Sequence, residues 1–146
     1  MAERVTNSMK IEFCAKSVNE AFARLAVSAF ASVADPSVAV IADIKTIVSE
    51  AVTNSIVHAY AQAEDKSLCP IYIQCKITES NRLIIKIKDK GCGISDVKAA
   101  MEPLYTTDTD GERSGMGFTV MQSFCDGVKV KSAINKGTTV TLEKRL

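Results

Sequence analysis

The chain has 146 residues, 47% of them hydrophobic and 24% charged, and its 18 basic and 17 acidic residues leave a formal charge of +1. This composition is that of a globular protein with one core, and we expect a single domain spanning 1–146. No apolar run approaches the roughly 20 residues of a membrane helix, and the charges form no basic block. We therefore expect protein or small-anion partners, without a membrane and without direct nucleic-acid binding.

The cysteines argue against a zinc site and for a reducing compartment. None has CxxC spacing, and the chain contains one histidine, His58, so a zinc site is not expected. An odd cysteine count without a signal peptide is typical of a cytoplasmic protein. We predict that all of them are small buried apolar residues, namely Cys14, Cys69, Cys75, Cys92 and Cys125.

The first elements are predicted to be a strand and a helix. Met9–Cys14 alternates apolar and polar residues, as a half-buried strand does. Ser17–Glu20 has the spacing of a capping box, which predicts that a helix begins there. Arg24 is predicted on the exposed side of that helix, available to a partner. The opposite, core-facing stripe is predicted to contain Val18, Phe22, Leu25, Ala26 and Ala29.

A second, longer helix is predicted after a sharp break. Asp35 is an N-cap candidate, and Pro36 suits a first helical turn. From Val40 to Ala59 the apolar residues recur at helical spacing. This pattern predicts a core-packed helix that ends near Ala61.

Two hairpins complete the regular pattern. Ile71–Ile77 and Leu83–Asp89 form the first, and 128–131 and 138–142 form the second. Because hairpins rather than crossovers join most strands, we predict an α+β fold. It is a two-layer sandwich with a mostly antiparallel mixed sheet and helices packed on one face.

Between the hairpins the periodicity is interrupted. Lys90–Gly93 is a glycine loop, and Val97–Met101 allows a short helix. Pro103–Ser114 has no periodicity and predicts a mobile loop or lid. Gly115–Gly117 is predicted to open a third helix.

Glu50 and Asn54 form the first polar motif. Four residues apart on a helix, they lie on neighbouring turns about 6 Å apart along the axis, beside the apolar stripe. An asparagine oxygen can ligate a hard cation such as magnesium while a glutamate accepts a proton. Taken alone, the pair also suits an ordinary polar helix flank.

Asp89, Gly91 and Gly93 form the second motif, directly after a strand. A carboxylate at a strand end can accept a hydrogen bond from an exocyclic amine such as that of adenine. The glycines allow the backbone to approach a flat ring. Without context, the same spacing is a common turn.

The third motif lies at the N-terminus of a helix, and the fourth lies at the start of a strand. Ser114–Gly117 exposes backbone amides at a helix N-terminus, which is a favourable place for phosphate oxygens. Arg113 before it could hold a terminal phosphate by paired hydrogen bonds. Thr138 in Gly137–Thr139 could join the Asp89 network or could simply favour a strand. The chain has no P-loop, protein-kinase motif set or GxSxG elbow, so a nucleotide would be bound in another way.

In this order and spacing, the four segments resemble the motifs of the ATPase superfamily that includes gyrase, the ninety-kilodalton heat-shock chaperones and histidine kinases. The resemblance covers nearly the whole chain and implies a Bergerat-type ATP-binding fold. Within the superfamily, Glu50–His58, Pro103–Thr107 and Glu112–Thr119 are most similar to the anti-sigma factor kinases of endospore-forming bacteria.

This resemblance implies a role for each motif residue. Glu50 corresponds to the catalytic base, Asn54 to the magnesium ligand and Asp89 to the adenine acceptor, with Gly91 and Gly93 as the supporting turn. Thr138 corresponds to a hydroxyl near the base, and Arg24 to an arginine that contacts partners. The phosphate-facing lid and loop correspond to Thr106, Thr107, Arg113, Ser114, Gly115, Met116 and Gly117.

The resemblance also implies partners and cofactors. The chain would form a homodimer that holds a sporulation sigma factor. It would phosphorylate a serine of an anti-anti-sigma protein, with ATP and Mg²⁺ as cofactors. Three positions depart from the family pattern: Cys92 in the glycine loop, Ala59 where many relatives have glycine, and a lid at 107–111 without lysine or proline.

Three other interpretations stay open. A general stress-type anti-sigma kinase would differ from the sporulation type mainly in the sequences of the 103–107 and 115–119 segments. The kinase half of a histidine kinase needs a phosphorylatable histidine, and His58 lies inside the motif helix. A non-enzymatic module would use the nucleotide only to order its lid.

Overall fold

The computed structural model describes residues 3–101 and 117–146. Its strands are β1 (Val5–Cys14), β2 (Pro70–Thr78), β3 (Arg82–Asp89), β4 (Gly127–Ala133) and β5 (Gly137–Arg145). Its α-helices are α1 (Asn19–Ser32), α2 (Val38–Asn54), α3 (Val97–Ala100) and α4 (Gly117–Phe124). A π-helical turn (Ser55–Ala59) continues α2, and a 3-10 turn (Lys66–Leu68) precedes β2. Among the described helices, none is long and apolar enough to cross a membrane.

The strands form one sheet in the order β1-β2-β3-β5-β4. Every strand pairing among the described residues is antiparallel, so the α+β class is confirmed, whereas no mixed pairing is present in this part of the chain. Tight turns join β2 to β3 and β4 to β5, which fixes these neighbours as antiparallel. β1 and β4 lie at the two edges.

The core lies between one face of the sheet and the helices. Burial alternates along β3 and along β2 as far as Ile77, with Ile71, Ile73, Ile85 and Ile87 pointing inward. Helix α2 covers them with a fully buried apolar side that consists of Ile44, Ile47, Val48, Ala51 and Val52. Alternation in the strands and helical spacing in α2 were therefore reliable guides to the core.

The cysteine prediction is only partly right. Cys69 and Cys75 are buried, whereas Cys92 is exposed in the glycine loop. Burial raises the pKa of Cys75 to about 12 and that of Cys125 to about 11, so both stay protonated thiols.

The capping box predicted at Ser17–Glu20 is wrong. Helix α1 begins at Asn19, and its N-cap residue, Val18, makes no side-chain capping bond. Glu20 instead accepts a hydrogen bond from the Ser49 hydroxyl of α2 and pairs with Arg24 at 3.4 Å. A partner on another helix has replaced the local one, which sequence spacing alone cannot show.

The predicted core stripe of α1 is also wrong. Val18, Phe22 and Leu25 are 74%, 49% and 57% exposed, and the buried residues are Ala23, Val27, Ser28 and Ala31. Small side chains allow α1 to pack closely on α2, so the buried face follows alanine and valine rather than the larger residues. Phe22 retains one aromatic contact, edge-on with Phe13 of β1.

The N-cap of helix α2 lies two residues later than predicted. Ser37, rather than Asp35, is the N-cap, and its hydroxyl accepts from the Val40 amide at 3.2 Å. Asp35 has a φ of 54°, which places it in the turn before the helix. The predicted end near Ala61 is close to the end of the π-helical turn at Ala59.

Lys144 of β5 holds the C-terminus of α4 against α2. Its ammonium group donates to Asp43 of α2 at 2.9 Å and to the Phe124 carbonyl at 2.8 Å. The Lys144 side chain is only 14% exposed. A cation at a helix C-terminus also meets the negative end of the helix dipole, so one side chain stabilises two packed elements.

We expect Lys144→Met to lower the free energy of unfolding by about 1–2 kcal/mol, because the Asp43 carboxylate and the last α4 carbonyl lose a partly buried partner. Urea unfolding followed by circular dichroism measures this change. Lys136→Met, at an exposed turn, is the matched control. Equal stability of the two variants would rule out a stabilising role for the Lys144 contacts.

Candidate functional site

The Glu50 and Asn54 side chains lie against the N-terminus of α4. A Cβ built on Gly117 would lie 3.3 Å from both terminal atoms of the Asn54 amide and 3.3 Å from Glu50 Oε2. The first motif thus meets the last residue of the third. The missing side chain at Gly117 leaves room beside a carboxylate, a carboxamide and a helix N-terminus, which together suit a metal-bound phosphate.

Directly after Asn54, α2 widens into the π-helical turn. Such turns are frequent at functional sites. The Lys66 ammonium group donates to the carbonyls of Ile56 and Tyr60, the first at 3.1 Å, so the end of the widened helix has partners. The turn also directs the Ser55 hydroxyl to Asp89 of β3, at 2.9 Å.

Asp89 is the buried polar centre of the site, with 4% exposure. Its Oδ1 accepts from the amides of Gly91 (3.0 Å) and Thr138 (3.1 Å), and its Oδ2 accepts from Ser55. Burial raises the pKa of Asp89, and the hydrogen bonds from Gly91, Ser55 and Thr138 partly oppose that rise. Since Oδ2 accepts one bond, it retains capacity for a second donor such as an exocyclic amine.

The glycine loop passes very close to two neighbouring backbones. A Cβ on Gly91 would lie 2.3 Å from the Ala59 carbonyl oxygen, and one on Gly93 would lie 2.2 Å from that of Ala133. Gly93 also has a φ of 79°. The Cys92 amide donates to Ala59 at 2.9 Å. The glycines were predicted to serve the approach of a flat ring; in the structure, they are required by the contact between this loop and its own chain.

Thr138 joins the Asp89 network through its backbone amide, as noted above, whereas its hydroxyl lies 2.8 Å from that of Ser132. Ser132 in turn accepts from the Ile94 amide at 2.7 Å and so fixes the exit of the glycine loop. Sequence reasoning missed both Ser55 and Ser132. Ser55 lies inside the helix predicted from Val40 to Ala59, and Ser132 lies just after the strand predicted at 128–131, so neither position indicated a role in the site.

Arg24 lies in an open groove between α1 and α2. The groove is also lined by Ser49 and Glu50, so the predicted partner-binding arginine and the predicted base share one surface. Its remaining lining residues are Leu25, Lys45 and Thr46. A protein segment in this groove would lie next to Glu50.

The other predicted site residues fall outside the described parts of the chain. They are Thr106, Thr107, Arg113, Ser114, Gly115 and Met116. Within residues 3–101 and 117–146, no group of three or more His, Cys, Asp or Glu side chains could hold a metal ion by itself.

Comparison with known proteins gives the same family as the motifs. The model of the histidine kinase-like ATPase domain matches residues 13–144. The anti-sigma F factor of Clostridium novyi is 54% identical over 140 residues, with 96% of this chain and 95% of the relative covered. That of Clostridium acetobutylicum is 49% identical over 139 residues, with 95% and 94% covered.

Solved structures share the fold at much lower identity. The crystal structure of the RsbU and RsbW domains of a Mycobacterium tuberculosis protein matches 97% of this chain and 33% of its own, with a TM-score of 0.70 and 20% identity. The SiaB-SiaC complex from Pseudomonas aeruginosa matches 97% of this chain and 90% of that one, with a TM-score of 0.66 and 7% identity.

The family resemblance predicted from the motifs is confirmed by these matches. The chain belongs to the histidine kinase-like ATPase family and, within it, to the anti-sigma F factors.

Proposed function

We propose that this protein is an anti-sigma factor that binds a sporulation sigma factor and phosphorylates a serine of its anti-anti-sigma antagonist with Mg-ATP. The observation that carries the proposal is the meeting of Glu50 and Asn54 with the side-chain-free start of α4, at the same end of the core as Asp89. Membership of the family supports nucleotide binding. The name shared by its relatives supports a sigma factor as the partner.

In the proposed complex Asp89 accepts a hydrogen bond from the adenine amine. Its Oδ1 is occupied by two backbone amides, so Oδ2 is the oxygen with remaining capacity. The glycine loop is held by Ala59 and Ser132, which gives the adenine a fixed floor rather than a flexible one. Binding a flat base against such a preformed surface loses little conformational entropy.

The phosphates are proposed to extend from there to the start of α4. Asn54 would supply one magnesium ligand, and the backbone amides at 115–117 would face the phosphate oxygens. Bound Mg²⁺ neutralises charge that develops on the phosphates during transfer. Thr106, Thr107, Arg113, Ser114 and Met116 belong to this proposal by family resemblance.

Glu50 is the proposed catalytic base. It accepts the proton of the attacking serine hydroxyl as the new oxygen–phosphorus bond forms and the bond from the terminal phosphorus to ADP breaks. A substrate segment bound along the Arg24 groove would bring a serine towards Glu50, because both residues line that groove. Partner recognition and catalysis would then use one continuous surface of a cytoplasmic homodimer.

We expect Glu50→Gln to bind ATP with near-normal affinity but to transfer phosphate about 100-fold to 10,000-fold more slowly, because the amide cannot accept the proton. Phosphate transfer from radiolabelled ATP to a purified anti-anti-sigma protein measures the rate. Glu64→Gln, an exposed change in a loop, is the control. A normal rate in Glu50→Gln would exclude this residue as the base, and no transfer by the unmodified chain would favour a non-enzymatic module.

We expect Asp89→Asn to bind ATP at least about tenfold more weakly while it stays folded. The asparagine oxygen can still accept from Gly91 and Thr138, and its NH₂ group can donate to the Ser55 hydroxyl. That arrangement presents a donor to the adenine amine, which is itself a donor. Isothermal titration calorimetry measures the affinity, with Asp35→Asn as the matched control; unchanged affinity would remove Asp89 from the binding site.

We expect a pull-down with purified sigma factors to retain one sporulation sigma factor, and more of it with ATP than with ADP. The reason is that the proposed place of the terminal phosphate, at the start of α4, adjoins Glu50, which also lines the Arg24 groove. Arg24→Glu should release the sigma factor, because a negative charge in the groove would repel the partner group that the arginine attracts. Lys98→Glu serves as the charge-matched control. Retention of a general stress sigma factor instead would favour the stress-type kinase.

A further inference from the structure

The outer face of the sheet, opposite the helices, carries two facing columns of lysine. Lys86 and Lys88 project from β3, and Lys129 and Lys131 project from β4. β5 lies between these strands and places two smaller, partly exposed threonines, Thr139 and Thr141, between the columns. We call this feature the lysine trough.

The strand register aligns the trough in two rows. Lys86 is opposite Thr141, which is opposite Lys129; Lys88, Thr139 and Lys131 form the next row. Residues two apart in a strand are about 7 Å apart, and two strand spacings separate the columns by about 10 Å. The trough thus has cationic walls and a hydroxyl-bearing floor.

The trough differs from the neighbouring part of β3 in its ion pairs. None of its lysines forms an ion pair with another described residue, whereas Arg82, further along β3, pairs with Glu3 and Glu143. Because the whole chain carries a formal charge of +1, this local excess reflects segregation of charge and not a basic composition.

Protection of a sheet edge accounts for only half of the trough. Lysines on an edge strand such as β4 prevent pairing with other chains. β3 has β2 and β5 as neighbours and exposes no edge, so Lys86 and Lys88 have no such role. Their placement opposite Lys129 and Lys131 calls for a different explanation.

We propose that the lysine trough binds an extended acidic segment of a partner protein, laid along β5. Successive side chains of an extended chain point to opposite sides, and alternate ones are about 7 Å apart. A run of consecutive acidic residues would therefore direct its carboxylates to both walls in register. The threonine hydroxyls can donate to carboxylates that reach the floor.

The composition of the face favours an acidic protein over nucleic acid. Single-stranded nucleic acid is bound largely by stacking of bases on aromatic side chains. Tyr72 is the aromatic residue on the outer face of the described sheet, and Lys90 Nζ lies 5.3 Å from its ring centroid. The face therefore offers charge without an open stacking surface.

The trough lies on the other side of the sheet from the Asp89 network, so this inference goes beyond the proposed kinase activity. The probe is a fluorescein-labelled peptide with an uninterrupted run of glutamates, and fluorescence anisotropy measures its affinity. A peptide with as many glutamates separated by glycine pairs tests the register, and an oligothymidylate of equal charge tests nucleic acid.

We expect Lys86→Gln/Lys129→Gln, one change from each wall, to weaken binding of the uninterrupted peptide about tenfold. Lys16→Gln/Lys98→Gln removes the same charge elsewhere on the exposed surface and should change it less than about twofold. The peptide with separated glutamates should bind more weakly than the uninterrupted one. ATP affinity should be the same in both variants.

Three results would overturn the proposal. The first is an equal loss of affinity in the two double variants, which would show a general charge effect. The second is tighter binding of the oligothymidylate than of the peptide. The third is no binding of the uninterrupted peptide to the unmodified chain.

Discussion

The hydrogen bonds to the buried carboxylate of Asp89 hold the candidate site together. Ser55 connects it to the end of α2, Gly91 to the glycine loop and Thr138 to the start of β5. A carboxylate this deeply buried is stable only with such donors, since desolvation disfavours its charge. The carboxylate that is proposed to bind adenine therefore also fixes three elements relative to one another.

Helix α2 connects these elements to α4 and β5. At one end its π-helical turn meets the glycine loop, and about three turns earlier Asp43 receives Lys144, which also holds the last turn of α4. Helix α4 is thus positioned against α2 near both of its ends, with Gly117 beside Asn54. Close packing of this kind explains why a glycine is needed at 91, where a Cβ would overlap the Ala59 backbone.

The two faces of the sheet present different side chains. The inner face ends in Asp89 and Thr138, beside the helices, whereas the outer face presents lysine and threonine to solvent. Alternation along β3 and along 138–143 of β5 produces both sets from single strands, because neighbouring residues point in opposite directions. The proposed nucleotide site and the lysine trough can therefore be altered separately.

The sequence alone determined the strands, the antiparallel hairpins, the buried side of α2 and the placement of Glu50 and Asn54 on one side of that helix, because these depend on local periodicity and spacing. It also indicated the family, through motifs whose order is preserved along the chain. Tertiary structure decided the rest. The exposed Phe22 and Leu25, the redirected Glu20, and the roles of Ser55 and Ser132 depend on residues that are distant in sequence, and such contacts leave no periodic pattern in the chain.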